Sequence, residues 1–233
     1  MATLRIAYSK EKYMKYLGHL ELMKLFERIF RVNKMPLKFS EGFNPIPKLT
    51  FAAPLSVGYS TKYDVMEVTL DREVPISDVL KLSFPDGIDL KDAIYVDCKA
   101  SLMSKVEYAD YLVKIEFQND VSQLPFKDWV ESFMQLESVT YDKKTKKGKI
   151  KTINVLDQIY KLTSVYCMEN EWIFKGTFAS GSNGSLNPEK FVEVFLKHYK
   201  IEKTIESIEV ERLGLYFSEN DALVNLFDLK DTE

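Results

Sequence analysis

Polar and apolar positions change period several times along the chain, and each change marks an element. Leu4-Arg-Ile-Ala-Tyr8 alternates at two, the spacing of a half-buried strand. From His19 to about Asn33 the period lengthens: Leu22, Leu25, Phe26, Ile29 and Phe30 recur at three and four, with Glu21, Lys24, Arg28 and Arg31 on the other side. An amphipathic helix follows. Pro36 breaks it, Leu37 to Phe39 opens an extended segment, and a loop spans Glu41 to Lys48. Leu49–Ala53 and Val65–Leu70 are short apolar runs that together predict a hairpin with a long, irregular connection. Pro75 starts a second helix over Ile76–Leu82, and Ala93–Cys98 is a further strand. The order is βαββαβ.

The second half repeats it. Tyr108–Phe117 alternates, Phe126–Leu136 has helical spacing through Trp129, Phe133 and Leu136, and Val139–Tyr141 begins a strand that runs into lysines. Asn154–Met168 fits either a short helix or a strand. Trp172–Phe178 alternates, Asn187-Pro188 caps and starts a helix over Glu189–Tyr199, and Ser207–Phe217 is a closing strand. Two βαββαβ units predict an α+β protein of duplicated ferredoxin-like architecture, with antiparallel sheets and helices on one face. The expected domains are residues 1–102 and 103–218, joined near Ala100–Val106, followed by an acidic tail, 219–233, that frays.

Composition narrows the chemistry more than the fold. At 233 residues with 45% apolar and 29% charged positions, the chain can bury a core without staples. Cys98 and Cys167 are the only cysteines, which excludes a disulfide framework and a CxxC zinc site and suits a reducing cytoplasm. They are also too few and too far apart to ligate an iron–sulfur cluster. His19 and His198 are the only histidines, so no HExxH helix or three-histidine metal site can be written, and no metal or cofactor is expected. His198 lies in the polar end of a helix and reads as a surface residue. Charges interrupt the N-terminal apolar run early, and no window approaches ~18 uninterrupted apolar residues, so a soluble, cytoplasmic protein without signal peptide or membrane span is expected.

Charge is uneven. The formal net charge is −3, yet residues 1–50 hold ten Lys and Arg against four acids, a local +6 that suits an anionic ligand. Within that region lies Phe39-Ser-Glu-Gly-Phe-Asn-Pro-Ile-Pro-Lys48. Gly42 permits positive φ, Asn44 and two prolines stiffen the backbone, and Lys48 puts a cation near Phe43, which can stack on a flat group. The plain alternative is a connection whose prolines block edge pairing. Six lysines fall within Lys143–Lys151, namely Lys143, Lys144, Lys146, Lys147, Lys149 and Lys151, either a solvated hairpin tip or a phosphate-attracting surface. Ser180-Gly-Ser-Asn-Gly-Ser185 precedes a helix start but matches neither a Walker loop nor a dinucleotide fingerprint.

Four segments together resemble a known family. Gly18-His-Leu-Glu-Leu22, Phe26-Glu-Arg28 with Arg31, the Phe39–Lys48 loop and Phe51-Ala-Ala-Pro-Leu-Ser-Val-Gly58 are similar to the N-terminal signature of the radical-SAM-linked protein family, a bacterial domain of unknown function. Arg212-Leu-Gly-Leu-Tyr216 resembles its Arg-Thr-Gly-like ending. The resemblance implies a domain that stands alone or is fused behind a radical S-adenosylmethionine enzyme, often encoded near a ribonuclease of the E/G type. Two positions depart from the family pattern. Gly18-His19-Leu20-Glu21 stands where Ser-His-Leu-Asp is usual, and Ile46 replaces the histidine of Asn-Pro-His-Pro-Lys. Loss of that histidine favours binding over catalysis.

The expected function is therefore a non-catalytic recognition or accessory module, binding structured RNA or a nucleotide-like anion and serving a separate radical SAM enzyme. Its ligand contacts would be His19, Glu21, Arg28, Arg31, Glu41, Phe43, Asn44, Lys48 and Arg212, with the lysine stretch on nucleic acid. The alternatives are a small-molecule or enzymatic pocket around His19, Glu21, Glu41 and Lys48, and a docking scaffold for the radical enzyme.

Overall fold

The computed structural model describes residues 1–97, 101–144, 148–181, 184–220 and 222–229, and in it the chain divides into two units. Unit 1 is Met1–Glu107 together with Glu211–Glu233, and unit 2 is Tyr108–Val210. The closing segment thus belongs with the first half of the sequence. Both units are mixed α+β with mostly antiparallel pairing.

Strand β1 (Ala2–Lys10) is central to unit 1. It pairs antiparallel with β3 (Ser60–Leu70) on one side and β4 (Ile88–Val96) on the other, and β2 (Leu49–Phe51) pairs antiparallel with β3, giving the order β2-β3-β1-β4. The expected hairpin of β2 and β3 is present. Helix α1 (His19–Val32) begins and ends close to where its periodicity does. It buries Leu22, Phe26 and Phe30 against Leu4, Ile6, Tyr8, Met66 and Val68, with Phe26 meeting Tyr8 at 5.2 Å and Phe51 at 5.4 Å, ring edge to face. Helix α2 (Ile76–Val79) is a single turn and stops short of the expected Leu82. A second four-residue helix, α3 (Leu102–Lys105), precedes the join. Cys98, the last residue of the expected fourth strand, lies outside the described residues.

Two expectations about unit 1 are corrected. β1 is buried on both faces from Leu4 to Lys10, where its alternation predicts one wet face. The cover comes from the segment expected to fray: β12 (Ala222–Asn225) folds back on β11 (Ile205–Glu219), and a short 3-10 turn, Leu226–Asp228, buries Leu226 and Phe227. Asn225 caps that turn by accepting from the Phe227 amide, 2.9 Å. Arg5 on the same unit donates from Nη1 to the carbonyls of Leu226 at 3.5 Å, Phe227 at 3.1 Å and Leu229, and from Nη2 to Glu67 at 2.8 Å. A composition of acids alone does not reveal these apolar anchors.

Unit 2 carries β5 (Tyr108–Phe117), β8 (Ile159–Met168) and β9 (Glu171–Gly181) in the order β8-β9-β5, with the first part of β11 beyond β5. The ambiguous stretch 154–168 resolves into a 3-10 turn, Leu156–Gln158, followed by β8. Helices α4 (Phe126–Phe133) and α5 (Pro188–His198) supply Phe126, Phe133, Phe191 and Phe195 to an aromatic core around Trp172, which stacks on Phe126 at 4.2 Å. α4 ends before the expected Leu136, which is exposed. Asn187 caps α5 through bonds from the Glu189 and Lys190 amides. A separate two-stranded ribbon, β6 (Thr140–Lys144) and β7 (Ile150–Asn154), carries Lys143, Lys144 and Lys151, and a two-residue strand, β10 (Gly184–Ser185), edges β9.

Candidate functional site

The register of β1, β3 and β11 gathers a buried charged cluster in unit 1. Tyr8 faces Asp64 across the β1/β3 pair, Lys10 faces Thr61, and Arg212 lies beside Thr61 in the parallel β11/β3 pairing. All four of Tyr8, Lys10, Asp64 and Arg212 are at most 2% exposed. Arg212 Nε donates to Asp64 Oδ1 at 2.8 Å, its Nη2 donates to Oδ2, and Tyr8 Oη donates to Oδ2 at 3.4 Å. The remaining Arg212 donors reach the carbonyls of Ala53, 3.1 Å, and Pro54, 3.2 Å. Lys10 Nζ donates to the carbonyls of Lys15 and Leu17 at 3.3 and 3.1 Å. Asp64 is thus ion-paired with Arg212, while Lys10 is held by carbonyls and feels both charges. Burial drives the Lys10 ammonium down to about 8, with Asp64 pulling it back up and Arg212 adding to the fall. Burial likewise raises the Tyr8 phenol well above its ordinary value, helped by Asp64.

Three of the segments that carry the family resemblance meet here. Phe51–Gly58 supplies the two carbonyls on Arg212, Arg212 opens the ending motif, and His19 from Gly18–Leu22 lines a cavity of about 10 Å³ with Tyr8, Lys10, Phe51, Ala53 and Leu55. That volume holds one water and no organic ligand. Arg212, which the ending motif places among ligand contacts, is instead enclosed by its own chain. His19 is half-buried, its ring 5.6 Å from Phe51. Glu21 accepts from the Gly18 amide at 2.8 Å, half of a capping box at the start of α1. Arg31 pairs with Glu27 at 2.8 Å and lies 5.0 Å over the Phe39 ring, while Arg28 is exposed.

The Phe39–Lys48 loop stands in solvent. Phe39 and Pro47 bridge across the loop, the Ser40 amide donates to the Ile46 carbonyl at 2.8 Å, and the Ile46 amide donates back to Ser40 Oγ at 3.1 Å. Gly42 takes φ 126°, as the turn requires. Within this closed frame Glu41, Phe43, Asn44 and Lys48 are all exposed, Phe43 completely at 106%. The structure thus puts the four residues of the alternative pocket in two settings: His19 and Glu21 at a helix start, Glu41 and Lys48 on the exposed loop.

In unit 2, Lys143 sits opposite Lys151 on the β6/β7 ribbon, and Lys144 opposite Ile150. Lys143, Lys144, Lys149 and Lys151 are exposed, whereas Lys146 and Lys147 lie outside the described residues. An open cleft of about 640 Å³ beside the ribbon is lined by Tyr141, Asp142, Lys190, Glu193, Lys197 and His198. A second, of about 460 Å³, includes Lys143, Lys151, Asn154 and Gln158. The Cys167 thiol is pushed up by burial and donates to the Val121 carbonyl, a structural rather than nucleophilic setting. Ser182 and Asn183 of the serine–glycine loop lie outside the described residues. Among the described residues no group of three or more His, Cys, Asp or Glu comes together to hold a metal, and no helix is long and apolar enough to cross a membrane.

Strand β1 carries the signal that sequence reasoning missed. Leu4, Ile6, Tyr8 and Lys10 share one phase of its alternation, and a lysine on an apolar phase is a candidate for burial with a partner. Asp64, one residue before an apolar run, gives no such sign.

The profile of a bacterial family described as "Uncharacterized protein conserved in bacteria (DUF2344)" matches residues 3–188, about four fifths of the chain. The chain belongs to that family. The description names no radical enzyme, so an association with one rests on the sequence resemblance. A search of curated proteins gives no match. Among solved structures, the chain is similar to a chain in "Crystal Structure of a Cbf5-Nop10-Gar1 Complex", at 12% identity and TM-score 0.50, covering 98% of this chain and 53% of that one. It is also similar to one in "Structure of H/ACA RNP bound to a substrate RNA containing 2'-deoxyuridine", at 12% identity and TM-score 0.48, covering 96% and 52%. The family member described here thus spans about half the length of the chains it matches, and at this identity the likeness to the first is one of fold.

Proposed function

We propose that this family member is a non-catalytic recognition module that binds RNA. The observation that carries this is Phe43, a fully exposed ring on a loop closed by its own hydrogen bonds, with the exposed Lys48 on the same loop. A ring held in water by a fixed frame is arranged to stack on a planar ligand, and an ammonium on the same frame suits the phosphate that accompanies a base. The exposed lysines of the β6/β7 ribbon support the same ligand class. So does the repeated order β2-β3-β1-β4 and β8-β9-β5-β11, read here as two ferredoxin-like units, an architecture used by RNA binders and offered as fold analogy. A catalytic pocket draws no comparable support, because the cavity beside His19 has room for one water. The finer assignment, that the module presents RNA to a separate radical SAM enzyme in the cytoplasm, rests on the sequence resemblance.

The test is binding of labelled RNA, as single-strand and stem-loop pools, to the full chain and to Phe43→Ala and Lys48→Ala. Loss of one stacked base costs ~1–3 kcal/mol, about a five- to hundredfold weakening. Melting temperatures should stay unchanged because neither side chain is buried. Absence of binding by the unaltered chain at low salt would reject the proposal. Full affinity in both variants would remove the loop from the site.

A further inference from the structure

A second exposed aromatic surface lies at the turn between β1 and α1, outside the segments so far given a role. The 3-10 turn Lys12–Tyr16 leaves Tyr13 84% and Tyr16 57% exposed, and the first turn of α1 adds Leu20 at 68%. Val57 is also exposed, 3.9 Å from the position a side chain at Gly18 would take. The turn is held from several sides. Its Lys15 carbonyl accepts from the Gly58 amide at 2.9 Å, the Leu17 amide donates to Met14, and the Glu11 amide donates to the Gly87 carbonyl at 2.7 Å. From beneath, the buried Lys10 ammonium donates to the Lys15 and Leu17 carbonyls. Lys12 adopts φ 50°, a left-handed conformation that a lysine takes only when its surroundings impose it. Two tyrosines are thus displayed by a frame that does not itself use their rings as core.

On the strand side of this surface acids and lysines pair off, Lys12 with Asp86 at 2.6 Å and Lys62 with Glu11, and the charge on its helix side selects the occupant. Lys15 Nζ lies 5.4 Å over the Tyr16 ring. Along the exposed face of α1, Leu20, Lys24 and Arg28 follow at four-residue intervals, with Lys24 and Arg28 exposed. The nearest helix acids are otherwise engaged, Glu21 on the Gly18 amide and Glu27 on Arg31. Lys24 and Arg28 are separated by about 6 Å of helical rise, close to the step between successive phosphates of an extended strand. Exposed rings on the turn that leads into α1, with a row of cations along that helix, fit a polyanion whose flat groups are unstacked, which is single-stranded and not duplex RNA.

We propose that Tyr13 and Tyr16 are a stacking platform for unpaired bases of a single RNA strand whose backbone runs along Lys24 and Arg28. This rests on the RNA reading above and adds the strandedness and path of the ligand. The probe is fluorescein-labelled oligouridine, compared with a blunt RNA duplex of equal length and with poly-glutamate. The Tyr13→Ala/Tyr16→Ala double variant should bind oligouridine at least tenfold more weakly, with duplex binding little changed, and Tyr13→Phe/Tyr16→Phe should restore it. Lys24→Gln/Arg28→Gln should lower the slope of log affinity against log salt by about 1.4, at ~0.7 for each phosphate contact on a single strand. Ultraviolet crosslinking of oligouridine should label the peptide containing Tyr13 and Tyr16. Affinity within twofold of the unaltered chain in the alanine pair, while Phe43→Ala weakens binding, would overturn the platform and leave the RNA proposal standing. No binding of any RNA by the unaltered chain would overturn both. Poly-glutamate bound as tightly, with the same tyrosine dependence, would overturn RNA as the occupant in favour of an acidic protein.

Discussion

Asp64 neutralises Arg212 directly and acts through space on a second buried cation, Lys10, so the cluster's contribution depends on which partner is removed. Arg212→Met should cost about 3–5 kcal/mol in urea unfolding, because a buried carboxylate loses its bidentate partner. Replacing both members, Asp64→Leu with Arg212→Met, should recover part of that loss, and a double variant weaker than the sum of the singles would argue against a paired role. Lys10 gives the cluster a pH signature. The unfolded chain keeps this proton up to the ordinary lysine value of 10.5, the folded chain only to about 8. Between those values the unfolded state binds more protons, so stability attributable to Lys10 rises with pH across that window. Tyr8 acts the other way above about 10, since its raised folded value means the unfolded chain ionises first. Unfolding free energies followed from about pH 7 to about pH 10 should therefore show the native chain gaining on Lys10→Met. A constant gap would exclude Lys10 from the titration. Of this cluster Arg212 stands out in the sequence through its motif, and Lys10 through its place on an apolar phase of β1. The partner of Arg212, Asp64, is 148 positions away, and no local spacing encodes that meeting.

At the level of elements, periodicity is informative wherever one face of an element is buried by its near neighbours. α1 and β5 match their expected limits because Leu22, Phe26 and Phe30, or Ala109, Tyr111 and Val113, repeat at the spacing of the backbone itself. It fails where cover comes from afar, as for β1, or where apolar spacing continues past the helix, as at Leu136. The loop Phe39–Lys48 was legible for a different reason: glycine and proline restrict backbone geometry wherever they stand, so its closed frame could be read without knowing its neighbours. Whether Phe43 faced water could not, since one aromatic in a loop has no period. The β6/β7 ribbon has its own test. Changing Lys143, Lys144 and Lys151 to Gln should flatten the salt dependence of RNA affinity by about 2 in log–log slope, at ~0.7 per contact. Like charges opposed at Lys143 and Lys151 repel, so the substitutions should not lower the melting temperature. An unchanged slope would place the ribbon outside the interface.

Taken as a whole, the chain builds unit 1 from both its ends and unit 2 from the middle. Removing residues 222–233 should therefore damage the part of the protein farthest away in sequence. It would expose the second face of β1 and leave the Arg5 guanidinium with Glu67 as its partner, at a cost of about 3–5 kcal/mol for an under-paired buried charge. Chemical denaturation of the truncated chain checks this, and an unchanged midpoint would mean that the Leu226–Leu229 cover contributes nothing. The same arrangement bears on how the protein emerges during translation. Arg5 must wait for Leu229, a separation of 224 residues, and Asp64 must wait for Arg212. At roughly 5–20 residues per second, the second wait alone lasts about 7–30 s. Throughout that interval the nascent chain carries an unfinished first sheet, with Asp64 still lacking Arg212, while Tyr108–Val210 is being made. A nascent chain exposed just past Val210, with the remainder still inside the ribosome, would hold a completed middle and an incomplete beginning.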